Sequence, residues 1–163
     1  MSKIVVVYFS RSGTTAKLAL ELAKKLDADV ERVNSLASYE GARGYLKGIW
    51  QALRAAAPSV APGRDVTAYS LVVIGTPVWA GRLSPPMRSY LQSLGGRIER
   101  TAAFWVSGSG ATCRSIGAEI ARLTRRSPLA TASFSQREVD RGMESAKLDS
   151  FARALRSPLP RAA

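Results

Sequence analysis

The sequence predicts an open α/β fold, a doubly wound parallel sheet laid down as five successive strand–helix units. Three observations predict it. Short apolar runs alternate along the chain with amphipathic segments of helical period. Most of the runs are continuously apolar, which suits strands covered on both faces. No internal repeat, linker or break in composition divides the 163 residues, a length that suits one domain with a substantial core. One helix after each strand then gives right-handed crossovers.

The elements follow in order. Lys3–Phe9 contains the β-branched run Ile4–Val5–Val6–Val7 and reads as the first strand. Thr14–Leu26 follows as a helix, with Leu18, Leu22 and Leu26 on one stripe and Lys17, Glu21, Lys24 and Lys25 elsewhere. Asp29–Val33 and Gly44–Ala56 make the second unit, and Leu71–Gly75 and Pro85–Leu94 the third. Pro85–Pro86 stands at a helix start, where a missing N–H is tolerated, and Gly95–Gly96 at its stop. Ala102–Ser107 with Cys113–Arg125, and Ala130–Phe134 with Asp140–Leu155, complete the five. Residues 1–156 form the expected domain, and Ser157–Ala163, with two prolines, the expected frayed tail.

Composition excludes several chemistries. There is no histidine and one cysteine, Cys113. Ser-His-Asp and Cys-His catalysis, a CxxC pair, an internal disulfide and a typical zinc site are therefore unavailable. An enzyme of this composition takes its chemistry from a bound cofactor. Cys113 lies near a helix start, where thiol pKa values fall, and reads as a small inert residue there. The apolar run from Ile4 to Ser10 is short for a signal peptide and no run approaches a membrane span, so the expected location is cytoplasmic.

The net charge is +12, and 18 of the 24 basic residues are arginine. Such a balance suits nucleic acid, an anionic membrane surface or an acidic partner. The arginines are scattered, with only Arg125–Arg126 adjacent, and no dense tract carries interleaved aromatics. Nucleic acid is set aside on that ground, in favour of a generic basic surface.

The most informative segment is Ser10–Arg11–Ser12–Gly13–Thr14–Thr15. It joins the first strand to the first helix and offers what a phosphate monoester needs. Helix-start N–H groups are free, the helix dipole favours negative charge, and four hydroxyls surround a glycine that admits close approach. A plain helix cap would need one or two of those hydroxyls. The segment lacks the three spaced glycines of a dinucleotide fingerprint and the Gly-Lys-Ser/Thr of a P-loop. It reads as a site for one terminal phosphate.

Two further loops stand at the carboxyl ends of strands, where open α/β sheets bind ligands. In Thr76–Pro77–Val78–Trp79–Ala80–Gly81, the tryptophan can stack on a planar ring or fold back as a core plug. The position after a buried strand shifts the reading to a ligand, and Arg82 beyond it reads equally as a solvated rim charge or as a contact for an anionic substrate or a nicotinamide phosphate. Ser107–Gly108–Ser109–Gly110–Ala111–Thr112 reads either as a flexible βα connection or as a loop whose small residues let backbone groups approach the edge of a heterocycle.

Taken together, these loops resemble the flavodoxin-like family of FMN-binding proteins. The turn Ser10-x-Ser12-Gly13-x-Thr15 is similar to that family's phosphate loop, with Ser12 where threonine is commoner. Thr76–Gly81 is similar to its second flavin loop, and Ser107–Gly110 falls where the third is expected. Gly44–Tyr45–Leu46–Lys47–Gly48–Ile49–Trp50 resembles short flavodoxin-type oxidoreductases. The resemblance implies strand order 2-1-3-4-5 and noncovalent FMN at the ends of the first and third strands. Ser10, Arg11, Ser12, Gly13, Thr14 and Thr15 would then hold the phosphate, with Arg11 itself turned to solvent. Trp79 would cover one ring face, and Ser107 to Gly110 would bind the pyrimidine edge.

The chain departs from the family's electron carriers, which are acidic and place a second aromatic in the third loop; none stands between Ser107 and Cys113. An open ring face and fewer negative charges, which ease reduction by weakening Coulomb repulsion, turn the expectation towards a reductase. It would pass electrons from NAD(P)H to a quinone or similar small acceptor. Two alternatives stay open: an electron carrier docking on an acidic redox protein, and a flavin-free binding module. The oligomeric state is open too, a homodimer included.

Overall fold

A computed structural model of the protein describes residues 4–36, 38–54, 59, 63–94, 96–110 and 113–156. In chain order the elements are β1 (Ile4–Tyr8), α1 (Thr14–Leu26), β2 (Asp29–Arg32), α2 (Gly41–Leu53), β3 (Leu71–Trp79), β4 (Arg82–Leu83), α3 (Pro85–Leu94), β5 (Thr101–Ser107), α4 (Arg114–Thr124), β6 (Thr131–Ser135), α5 (Gln136–Asp140) and α6 (Ser145–Arg156). Five strands pair in parallel in the order β2-β1-β3-β5-β6, and β4 pairs antiparallel with β3. With β4 set aside, this is the predicted 2-1-3-4-5 order.

Alternation along the strands fills a core on each face. Val5 and Val7 of β1 join Val72 and Ile74 of β3 beneath α3 and α4, where Met87, Leu91, Ile116 and Ile120 meet them. Val6 of β1 joins Val73 of β3 and Phe104 of β5 beneath α1 and α6. Leu18 and Leu22 of α1 are completely buried there. Each such leucine contributes about 1.5–3 kcal/mol of burial. Among the described residues, no helix is long and apolar enough to cross a membrane.

Three elements differ from the sequence expectation. The third strand does not stop at Gly75 but runs on to Trp79, because β4 folds back on it: Val78 faces Leu83 and Trp79 faces Arg82. The connecting pair, Ala80 and Gly81, has φ of 51° and 71°, the positive values that a tight type I′ hairpin requires. The second helix starts at Gly41, after an extended Glu40, rather than at Gly44. The predicted helix Asp140–Leu155 begins only at Ser145, as α6, and a separate short helix, α5, comes before it. Ser135 and Glu138 form a reciprocal capping box that starts α5 at once after β6, and Gly142, at φ 68°, stands in the turn before α6. The second helix's predicted end at Ala56, Gly95 of the third helix's stop, Ala111–Thr112 and the tail 157–163 lie outside the described residues.

Candidate functional site

The strand order places the carboxyl ends of β1, β3 and β5 side by side. Tyr8 of β1 pairs with Gly75 of β3, and Pro77 of β3 with Val106 of β5. The chain leaves β1 for β2 on one side and returns to β3 on the other, so β1 and β3 flank the switch point at which such sheets bind ligands. The three predicted loops therefore share one edge of the molecule.

The first loop closes on itself and leaves the start of α1 open. The Gly13 N–H donates to Ser10 Oγ (3.1 Å), which closes the turn. Gly13 is the N-cap of α1 at φ 95°, and a Cβ there would meet nothing within 4 Å, so the space over the turn is open. No side chain caps the helix, and its first turn carries no acidic residue. The first-turn N–H groups and the positive end of the dipole are thus left for a ligand. Ser12 and Gly13 are exposed, while Ser10, Thr14 and Thr15 are buried. Arg11 is exposed and stands over the ring of Tyr45, 5.1 Å from its centroid.

A clamp that local sequence did not suggest holds this turn from behind. Gln136 Nε2, at the start of α5, donates to Thr14 Oγ1 (2.6 Å), and Lys17 Nζ donates to Glu144 Oε1 (2.7 Å) and to the Val139 carbonyl (3.2 Å). Because Thr14 Oγ1 accepts from Gln136, its own O–H proton remains to donate. Burial pushes the Glu144 carboxyl up most strongly, but the hydrogen bond from Lys17, a backbone hydrogen bond and the Lys17 charge together outweigh it, so the group titrates below its ordinary value. Hydrogen bonding to Glu144 raises the Lys17 ammonium in return. The sequence did carry a signal for α5: Ser135-x-x-Glu138 is a capping-box pattern.

The second loop faces inward. Thr76 is fully buried, with its hydroxyl 2.9 Å from Ser84 Oγ and 3.0 Å from the Pro77 carbonyl. Trp79 is 5% exposed. It packs edge-on to Phe9, with ring centroids 5.8 Å apart, and tilted to Tyr39 at 5.1 Å. A Cβ on Gly48 of α2 would lie 2.5 Å from the indole, so this glycine is what lets α2 sit against the ring. Pro77 and Val78 are half-buried, and only Ala80 and Gly81 are exposed at the hairpin tip.

The hairpin is fixed to its neighbours. Ser115 Oγ donates to the Gly81 carbonyl (3.0 Å), and Arg88, itself buried, bonds both the Leu83 carbonyl (3.1 Å) and Glu119 (2.6 Å). Beside it lies a cleft of about 390 Å³ lined by Ala80, Gly81, Arg82, Ser115, Glu119 and Arg122.

The third loop repeats the turn of the first. The Gly110 N–H donates to Ser107 Oγ (2.9 Å), and Gly110 sits at φ 73°. Gly108 and Ser109 are exposed, and Cys113 is the N-cap of α4. A further cleft, of about 370 Å³, opens between the ends of β1 and β2 and is lined by Phe9, Ser10, Arg11, Arg32, Ser35 and Tyr39 among others. Desolvation raises the Tyr39 phenol above its ordinary pKa, so it remains a neutral donor. The sequence reading missed Phe9 and Tyr39 as neighbours of Trp79. They come from β1's end and the loop before α2, and no local spacing joins them.

This geometry fits one end of a mononucleotide better than the other. The first turn suits a phosphate as it stands. Trp79 is already covered by protein rings, so stacking on a ligand requires the indole to leave the aromatic cluster.

No family model matches the chain. Two curated relatives are named NAD(P)H dehydrogenase (quinone). The one from Gluconacetobacter diazotrophicus is 28% identical over 67% of this chain, and the one from Methylocella silvestris 32% over 63%. The matched region spans about half of each relative's length (51%). Among solved structures, a flavoprotein from Lactobacillus acidophilus in complex with FMN superposes with TM-score 0.70 at 22% identity, covering 86% of this chain and 98% of that one. A WrbA-like flavodoxin from Agrobacterium tumefaciens gives 0.53 at 16% identity, covering 94% and 98%. With its strand order and its loops at the β1/β3 switch point, the chain has the flavodoxin-like fold.

Proposed function

We propose that this chain is an FMN-dependent oxidoreductase that passes electrons from NAD(P)H to a quinone or similar small acceptor. The observation that carries the reading is the first turn: left-handed Gly13, an α1 N-terminus with no side-chain cap, and open space above both. Ser12, Gly13 and Thr14 hold the phosphate of FMN through backbone N–H groups and hydroxyls. Gly108 and Ser109 would border the ring's polar edge, and the hairpin tip Ala80–Gly81 extends β3, which lies between β1 and β5. Bound flavin supplies the hydride and electron chemistry that the side chains lack. The relatives' names, NAD(P)H dehydrogenase (quinone), support this choice of donor and acceptor.

The chain's own residues position and exclude. The Gln136 and Lys17–Glu144 clamp fixes the phosphate turn, and the Arg88–Glu119 pair fixes the hairpin. Arg82 and Arg122, beside that hairpin, offer positive charge to a donor's phosphate groups. We place the reaction in the cytoplasm.

Purified protein reconstituted with FMN tests this reading by its absorption in the blue and near-ultraviolet. The expected result is bleaching by NAD(P)H and recovery on adding a benzoquinone. Flavin that stays oxidised with NAD(P)H but is reduced through an acidic redox protein, steeply dependent on salt, would establish the electron-carrier reading instead. Protein that ignores FMN altogether would leave a flavin-free binding module.

A further inference from the structure

Helix α2 presents three distinct faces. Gly44, Gly48 and Ala52 are buried against Tyr39, Trp79 and the core. At about 100° per residue, Ile49, Leu46 and Trp50 fall on a second face, pointing away from the first, with Tyr45 at the border between the two. Arg43, Lys47 and Arg54, all exposed, form a third row beside it. No acidic residue lies between Gly41 and Arg54. The second face and its border are open: Leu46 is 65% exposed, Trp50 54% and Tyr45 43%, and Leu36 in the preceding loop reaches 70%. Arginines cover both exposed aromatic rings, Arg54 over Trp50 at 4.1 Å and Arg11 over Tyr45 at 5.1 Å.

We infer that this face of α2 docks on an anionic lipid surface. Aromatic and leucine side chains flanked by Arg and Lys are what an in-plane helix needs at a headgroup layer: apolar groups enter the acyl boundary and cations meet lipid phosphates.

Charge selects the occupant: Arg43, Lys47, Arg54 and Arg11 flank the apolar side chains, and no acidic residue of α2 offsets them. A second copy brings another +12 charge against this one. A bilayer needs neither a large complementary face nor a recess. The patch continues into the phosphate turn through Arg11, so docking brings that turn to the membrane surface, where lipid-soluble acceptors reside. The docking itself does not depend on flavin.

Flotation of the full chain with vesicles tests it. Binding to phosphatidylcholine vesicles containing about a third phosphatidylglycerol is expected to exceed binding to pure phosphatidylcholine at least tenfold, and to weaken in high salt. Leu46→Ser with Trp50→Ser should lower it roughly tenfold or more, since both side chains lose their insertion energy. Both are exposed, so the far-ultraviolet circular dichroism and Tm should stay unchanged. Trp79 and Trp105 are each 5% exposed, so a vesicle-induced blue shift of fluorescence belongs to Trp50 and should vanish in Trp50→Phe. Undiminished flotation of the double variant would overturn the inference. So would equal binding to neutral vesicles, or binding to an acidic polypeptide or self-association with no vesicle binding.

Discussion

Ser10–Thr15 follows β1, and Thr76–Gly81 is the carboxyl end of the paired β3 with its hairpin tip; they share one edge of the sheet, yet they are prepared differently. The first is open: Gly13 is exposed, and nothing lies within 4 Å of where its Cβ would be. The second is closed: Thr76 is fully buried and Trp79 is 5% exposed among Phe9, Tyr39 and α2. An anion site can be completed by backbone geometry within six consecutive residues. A ring site needs side chains from several elements, and here those side chains pack on one another.

The largest effect is expected at Trp79. As a core residue, Trp79→Ala should lower the unfolding free energy by about 3–5 kcal/mol in chemical denaturation. A change within about 0.5 kcal/mol, as at an ordinary surface site, would mean that the indole is not part of the core and would break the comparison. Next comes Gly13→Val. A β-branched residue at φ 95° costs about 1–3 kcal/mol, and by distorting the turn it should weaken FMN binding far more than it lowers Tm. Equal affinity for FMN in the variant, by calorimetry, would show that the phosphate sits elsewhere.

A gain is expected at the hairpin tip. Ala80 holds φ 51°, where asparagine is better tolerated, so Ala80→Asn should add about 0.5–1 kcal/mol and raise Tm.

The smallest effect is at the clamp behind the first turn. Glu144 titrates below its ordinary 4.5 and Lys17 above its ordinary 10.5. The depressed carboxyl stabilises the fold above pH 4.5, and its contribution is lost as pH falls through the folded-state value. The raised ammonium stabilises below pH 10.5, and its contribution is lost as pH rises past its own folded-state value. The Tm difference between the native protein and Glu144→Gln should therefore be level between these limits and shrink beyond them. A difference that is constant at every pH would assign the clamp to packing rather than to charge.

What the sequence disclosed follows the same division. The β1 run and the turn after it were legible because the β-branched apolar residues, the hydroxyls and Gly13 are neighbours in the chain. The strand order agrees with the one that the resemblance implied. The burial of Trp79 was not legible, because it depends on Gly48 and Tyr39, which come from the chain between β2 and β3. The extension of β3 depends on pairing with a two-residue strand whose only local sign is Gly81. The α5 start was written in Ser135-x-x-Glu138, but the contact that gives it meaning, Gln136 to Thr14, joins residues 122 apart in the chain.

The central claim is that the turn at Ser10–Thr15 grips a phosphate, and titration of the apoprotein with FMN and with riboflavin tests it most directly. The two ligands differ only in that group. Two or more charge-assisted hydrogen bonds predict FMN binding at least roughly a hundredfold tighter, with Gly13→Val removing most of the difference. Equal affinity for the two flavins would contradict the claim.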